Sequence, residues 1–594
     1  MSERIVKDIF DLRSKFVIIG LTGKTGSGCS TVANILEKQK LEDIVPPAGY
    51  VNHDGLASND QRKYNIVRHF LESNWHSFKT IKVSDIIMLY ALQYSFEEFM
   101  AELEKYDISF SDSEKYASIH SESVLCMSYL QKRESRHLKY EFNVEDKDKD
   151  LYEKRIQEAQ HWSNFIFVEL KKFVDDLKES IVKYKKLSTP MQDWGNNIRK
   201  LNHAFNEPPA DKVCINEGAA NLAHLVNHVI KLIRDLNYKD GEKTYIVIDA
   251  LRNPYEVLYF RERYSAFYLM SISTPVVVRR KNLSKFNEDE IIALDSKESP
   301  KKAPLVDSFQ KQDVPRCIEL SDIHVVTDGT RWESNDELKK QLMQFVALIL
   351  HPGLIPPTPE ERVMQIAYTA KLNSGCLSRQ VGAVVSDKHF SVKSIGWNTV
   401  AEGQTPCSLR RLEDLHLRND LNAFSDYELQ DGKFRHKINL LWNKYKPFSK
   451  DIEGLNLSYC FKDVYNSIDN ESNQVHTRAL HAEENAFLQI VKYGGNSVRE
   501  GYLFTTASPC VLCAKKAYQL GIRKVFYIDL YPDITLSHIF QGGMAEKRPE
   551  TEMFKGAIGR AYINLYNPII PLKDEIEAIT GIGKNSIVEK NEES

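Results

Sequence analysis

Four residues in the C-terminal third have the types and spacing that do chemistry. "LHAEENAF" holds His481 and Glu483, and the later "TTASPCVLCAKKAYQLGI" holds Cys510 and Cys513. One imidazole nitrogen and two thiolates give three ligands for zinc and leave a fourth tetrahedral position open. Hydrolysis needs such an opening, because a water bound there loses its proton near neutral pH. Glu483 stands two residues from His481, a poor place for a fourth ligand. It suits a group that takes the water's proton and hands it to a ring nitrogen and then to leaving ammonia. Pro509 ahead of Cys510 suits a helix start, whose N-terminal dipole favours nearby thiolates.

The H-x-E…P-C-x-x-C order is that of zinc-dependent nucleobase deamination. The alternative is a structural zinc closed by a fourth ligand from Cys376, Cys407 or His476. A closed site would require neither the glutamate nor the proline. Whether the same three residues form a second, structural zinc site is left open by their spacing, which is not diagnostic.

A less complete pattern lies near the N-terminus, in "IIGLTGKTGSGCSTVANIL". A phosphate-binding loop reads G-x-x-x-x-G-K-[ST], its lysine reaching the β- and γ-phosphates. Here Cys29 stands in the lysine's place. Gly23, Gly26 and Gly28 would still let backbone amides approach phosphate, and the helix start beyond them, with Ser30 and Thr31, favours an anion. Ser30 is a candidate for Mg²⁺, with Asp249 assisting. Lys24 is a candidate substitute charge, and Arg252, Arg261 and Arg263 are further candidate phosphate contacts or merely a solvated helix face. Without its positioned cation such a site loses orders of magnitude in phosphoryl-transfer rate. The expectation is a nucleotide-binding or sensing unit with weak or absent transfer; a loop that binds nothing is the alternative.

These residues need elements to position them. At 594 residues the chain exceeds one hydrophobic core. Its 42% hydrophobic and 27% charged residues are those of an ordinary globular protein, and a net charge of −3 provides no overall basic footprint for nucleic acid. No apolar run reaches the length of a membrane span and the N-terminus lacks a signal-peptide core, so a cytoplasmic protein is expected. Nine cysteines are too few for a disulfide scaffold. "FVIIG", "KTYIVIDALRNPYE", "TPVVVRR" and "DIHVVTDGT" read as buried strands between helical stretches, which implies a doubly wound parallel α/β sheet over 14–350. A helical insertion is expected at about 86–240, where Ile166, Phe173, Leu177, Ile181 and Tyr184 share one face. The Pro-rich 351–359 is the expected linker, with Thr358, Pro359 and Glu361 forming a capping box. A second α/β domain is expected over 360–575, with strands at "QVGAVVS", "GYLFTTAS" and "KVFYIDL" and an insertion at about 408–475; a disordered tail is expected over 576–594.

Residues from about 359 to 545 resemble the deoxycytidylate deaminase family. The resemblance rests on "LNSGCLSRQVGAVVS", "SIGWNTV", the zinc motif and "GIRKVFYIDLYPD", in that order. It implies a cytidine-deaminase-like α/β/α fold, with Asn398 bonded to the sugar, Arg379 on a substrate phosphate and Tyr531 packed on the substrate. The N-terminal half resembles nucleoside- and deoxynucleoside-monophosphate-kinase P-loop proteins through the 23–30 loop, the strand ending at Asp249, and "DIHVVTDGT". Together the halves resemble bacterial two-domain deaminases used against phage. That likeness implies conversion of dCTP or dCMP to uracil nucleotides, draining a pool that phage replication needs. It also implies control by an inhibitory RNA or protein or by a nucleotide effector (ATP, GTP or one like dTTP), and a homo-oligomer, often a hexamer. A polynucleotide deaminase acting on RNA or single-stranded DNA, and a non-enzymatic nucleotide sensor, are the rival readings. The first would need a basic groove with stacking aromatics, whereas Arg410, Arg411 and Lys433 are interleaved with acids.

Overall fold

The computed structural model describes residues 2–46, 58–132, 149–180, 188–206, 220–239, 243–284, 286–299, 310–328, 335–471, 473–494, 497–529 and 535–583. It divides into two units, one formed by 1–356 with 560–594 and the other by 357–559.

In the first unit β1 (Phe16–Thr22), β2 (Lys79–Lys82), β3 (Thr244–Asp249), β4 (Phe267–Ser273) and β5 (Ile323–Val326) run parallel in the order β5-β4-β1-β3-β2. β3 is buried at every position and β1 at all but its first, as expected for strands covered on both faces. Gly20 is required by close packing, since a Cβ there would lie 2.8 Å from the Phe267 ring. The central β1 is flanked by β3 and β4, so the loop after β1 and the end of β3 open at the carboxyl edge where such sheets bind ligands. Between β2 and β3 the described chain is helical. Ile166, Phe173 and Leu177 are buried in its core with Phe99, Tyr116 and Trp194, whereas Ile181 and Tyr184 lie outside the described residues.

Two expectations are corrected in this unit. "TPVVVRR" is not a strand but the helix Val276–Asn282, with Pro275 at its N-cap and no buried residue. The strand is the preceding "FYLMSIS" of β4. β-branched propensity loses here to tertiary placement: Val277 is 81% exposed, and Arg279 donates to the Thr25 carbonyl at 2.7 Å. The second correction is at the C-terminal end. Residues 560–583 join the first unit rather than closing the second, and the segment expected to be a tail begins inside the helix Leu572–Thr580. Arg13 donates to the Asn564 carbonyl at 2.8 Å, and Glu575 meets His351 Nε2 at 3.0 Å.

In the second unit β6 (Gly382–Ser386), β7 (Val392–Trp397), β10 (Tyr502–Ala507), β11 (Lys524–Asp529) and β12 (Glu550–Met553) form a mixed sheet in the order β12-β11-β10-β6-β7. The pairings β10–β11 and β11–β12 are parallel, and β10–β6 and β6–β7 antiparallel. A short ladder joins β8 (Thr399–Val400) to β9 (Ala479–Leu480). The helix Pro359–Ala370 starts with the Thr358–Glu361 capping box. Among the described residues of 408–475, the helices Leu412–Leu417, Asp426–Gln430, Gly432–Tyr445 and Phe461–Asn466 enclose their own core of Leu412, Phe424, Phe434, Ile438 and Tyr459. Beside that core Arg410 is fully buried, pairing with Glu428 and donating to Tyr459 Oη at 2.6 Å.

Candidate active site

Two helix starts build the site. His481 is the N-cap of the helix Ala482–Tyr493, which puts Glu483 in its first turn. Cys510 is the N-cap of the helix Val511–Gln519, with Cys513 in its first turn. One bend of chain thus delivers each pair, and both helix dipoles favour negative charge at their meeting point. The first helix lies tightly on β7, because Gly396 has no Cβ to hold it off: an added one would lie 2.2 Å from the Ala482 carbonyl oxygen and 2.4 Å from Ala486 N. Gly382 similarly lets the helix Pro359–Ala370 approach β6, where a Cβ would lie 2.0 Å from the Ala367 carbonyl oxygen.

His481 Nδ1 lies 3.3 Å from Cys510 Sγ and 3.5 Å from Cys513 Sγ. A tetrahedral zinc with N at about 2.0–2.1 Å and S at about 2.3 Å separates its N and S ligands by about 3.5 Å. The spacing and the soft donor set therefore fit that ion. Hydrogen bonds from Cys513 and His481 hold the Cys510 thiol far below its ordinary value, at about 3. The bond to Cys510 also raises His481 against the opposing effect of its burial. Glu483, 4% exposed, is pushed above the usual carboxylate range by burial. A buried carboxyl that keeps its proton more readily is suited to carrying one. Thr505 Oγ1, wholly buried, donates to the Ala507 carbonyl at 2.8 Å and lies 3.4 Å from Glu483 Oε1.

Among the described residues this trio is the only group of three or more metal-ligating side chains. Cys376, Cys407 and His476, whose spacing left a second zinc site open, do not gather into another such group among the described residues. Cys407 lies 3.8 Å from an Arg478 nitrogen, and the His476 ring packs on Tyr465 with centroids 4.2 Å apart.

Asn398 spends its amide on the backbone, accepting from Val381 N at 2.7 Å and donating to the Arg379 carbonyl at 2.5 Å. It braces the segment that carries Arg379 and retains one N–H and one lone pair for other partners. Arg379 donates to Asp529 Oδ2 at 2.5 Å, and the Asp529 carbonyl accepts from Ser508 N at 2.8 Å, just before Cys510. Tyr531 lies outside the described residues. Thr505 and Asp529 carry no motif of their own, whereas Gly396 is the glycine of "SIGWNTV". The available signal for Asp529 was an acid closing the buried run "KVFYID".

In the first unit Gly26 and Gly28 have φ values of 83° and 107°, the left-handed geometry in which successive amides can turn toward an anion. Gly23 is fixed by crowding, since a Cβ would lie 2.5 Å from the Ile272 carbonyl oxygen. Ser30 Oγ donates to Asp249 Oδ2 at 2.7 Å across the sheet edge. Burial pushes Asp249 above the usual carboxylate range. Burial likewise pushes the Cys29 thiol up to about 12, so it carries no charge at neutral pH. Lys24 and Thr31 are half-buried, before and after the glycines. Arg261 instead pairs with Asp322, at 3.2 Å.

No helix among the described residues is long and apolar enough to cross a membrane. Residues 357–529 match the cytidine and deoxycytidylate deaminase zinc-binding region. The deoxycytidylate deaminase of enterobacteria phage T4 is 29% identical over 177 residues, spanning 28% of this chain and 77% of its own. That of enterobacteria phage T2 is 28% identical over 177 residues, spanning 28% and 79%. The solved dCMP deaminase of cyanophage S-TIM5, in complex with dCMP and dUMP, aligns over 34% of this chain and 99% of its own at 22% identity, with a TM-score of 0.20. With the donor trio and the buried Glu483 beside it, the family match and the two phage relatives make the chain a hydrolytic deaminase.

Proposed function

We propose that the second unit deaminates deoxycytidine nucleotides, dCMP or dCTP, to dUMP or dUTP, with zinc held by His481, Cys510 and Cys513. The observation that carries this reading is the buried Glu483 on the same helix turn as one member of an N–S–S trio. When bound, zinc supplies the Lewis acidity that makes a water nucleophilic near neutral pH. Glu483 takes a proton from the attacking water and passes it to the ring N3; it then takes the remaining proton from the new C4 hydroxyl and delivers it to the amino group, so that the C4–N bond breaks, ammonia leaves and a C4 carbonyl remains. Thr505 holds the carboxyl's orientation through this shuttle. Arg379, set by Asp529 on one side and by Asn398 beneath its backbone, is the cation for a substrate phosphate, with Asn398's remaining capacity facing the sugar and Tyr531 packing on the substrate.

We further propose that the first unit is a kinase-like P-loop domain that binds a nucleotide and regulates deamination rather than transferring phosphate. The parallel order with the 23–30 loop after its central strand supports it, as do the Ser30–Asp249 pair, a place for Mg²⁺ beside the phosphates, and the uncharged Cys29. On the resemblance to two-domain antiphage deaminases, the working form is a cytoplasmic homo-oligomer. It is held silent by RNA, protein or a nucleotide effector until dCTP depletion serves defence.

The test is incubation of the zinc-quantified full chain with dCMP, dCTP, CTP, cytidine and a cytosine-containing DNA strand, beside Glu483→Ala. Uracil formation from dCMP or dCTP, absent in the variant, supports the reading; reaction with the DNA strand alone overturns it. Arg379→Ala is expected to raise KM for the preferred nucleotide by about tenfold to a hundredfold, the worth of one charge-assisted hydrogen bond, and to leave KM for cytidine nearly unchanged. Equal effects on nucleotide and nucleoside would remove Arg379 from the phosphate.

A further inference from the structure

The 23–30 loop has an internal partner. The Glu298 side chain, wholly buried, turns its carboxylate onto the loop: Thr25 N donates to its Oε1 at 3.0 Å and Oε2 at 3.2 Å, and the Thr25 hydroxyl donates to Oε1. Arg252 Nη1 donates to the same Oε1 at 2.7 Å and to Thr25 Oγ1 at 2.9 Å. Arg252 also lies near enough to Cys29 for its charge to act on the thiol. Glu298 ends the helix Glu288–Glu298, and nearby residues also hold the loop. Arg279 donates to the Thr25 carbonyl at 2.7 Å and to Asp295 at 3.0 Å, and Asn282 donates to the Gly26 carbonyl at 3.0 Å.

A loop amide, a hydroxyl and a guanidinium converging on one anionic oxygen are the donors a phosphate oxygen would use. A carboxylate buried this fully needs every such donor, so the arrangement is stable only while Glu298 keeps them. We propose that Glu298 is a built-in competitor in the phosphate seat of this loop, and that Arg252 is the cation that has taken over from the lysine replaced by Cys29. The ligand class is the polyphosphate tail of a nucleotide. Its binding exchanges one anion for another on Thr25 and Arg252 and frees the end of the helix Glu288–Glu298 from the loop, while Arg279 still ties Asp295 to the Thr25 carbonyl. Wild-type affinity is thereby lowered by the fraction of molecules whose seat Glu298 fills. This inference rests on the reading of the first unit as a nucleotide binder.

Glu298→Gln in the full chain keeps the shape and removes the charge; Glu298→Asp keeps the charge and withdraws it by one methylene. Binding of ATP, GTP, dTTP and inorganic tripolyphosphate with Mg²⁺ is measured for each, and melting curves without ligand show that each variant is folded. Both variants are expected to bind at least one of these polyphosphates about tenfold or more tightly than wild type, and Arg252→Ala added to Glu298→Gln is expected to cancel the gain. Equal binding by wild type and both variants would overturn the internal competitor and leave the nucleotide reading intact. Binding by none of them would overturn both. A gain that survives Arg252→Ala would remove Arg252 from the role.

Discussion

Glu483→Gln is expected to lower kcat for deamination by about 10³-fold or more while the protein still binds one zinc. Positioned proton transfer contributes about 10²–10⁴-fold, and here one carboxyl serves both the water and the departing ammonia. The glutamine fills the same volume and its amide N–H can still donate to Thr505 Oγ1, so the helix Ala482–Tyr493 and the trio stay in place. It cannot carry a proton. Measured zinc of about one per chain, an unchanged melting temperature and kcat near the detection limit would together assign the loss to chemistry. Retained turnover would show that another group moves the proton and that the buried glutamate is structural.

Gly396→Ala is expected to be nearly as damaging, without touching a reacting group. The new methyl would lie 2.2–2.4 Å from backbone atoms of Ala482 and Ala486, and backbone cannot turn aside as a side chain does. The helix must move off β7 by about 1 Å, and inserting a methyl into so tight a contact costs about 1–3 kcal/mol. Its start carries His481 and Glu483, and a 1 Å misplacement of a catalytic group costs about 10²-fold in rate. A fall of that size in kcat with a lowered melting temperature and weakened zinc retention is the expected pattern. Wild-type activity and stability would show that this contact does not set the site.

The candidate reacting groups were legible because each pair is local. His481 with Glu483, and Cys510 with Cys513, are separated by two and three residues at helix starts, so spacing alone puts each pair on one side. What supports them was not legible. Arg379 and Asp529 are 150 residues apart, and nothing local in either segment names the other. Asn398 is recognisable as a motif residue, yet its bonds to the 379–381 backbone depend on how β7 meets that segment. The misplaced strand at "TPVVVRR" has the same origin. Its valines have strand propensity, but Pro275 and the pull of Arg279 toward Thr25 decide the outcome. The Gly-rich loop was readable as a loop, whereas Glu298, far along the chain and the last residue of an ordinary-looking helix, offered no motif.

The return of residues 560–583 to the first unit has a consequence for how the molecule is made. A ribosome that has released the 23–30 loop, the helical stretch between β2 and β3, and β5 has still not released the segment that meets Arg13 and His351. The whole deaminase unit must emerge first. The first unit therefore starts to fold earliest and finishes last. During that interval the helices Ala482–Tyr493 and Val511–Gln519 can reach their native form while the first unit is still open along the surface that Asn564 and Glu575 will cover.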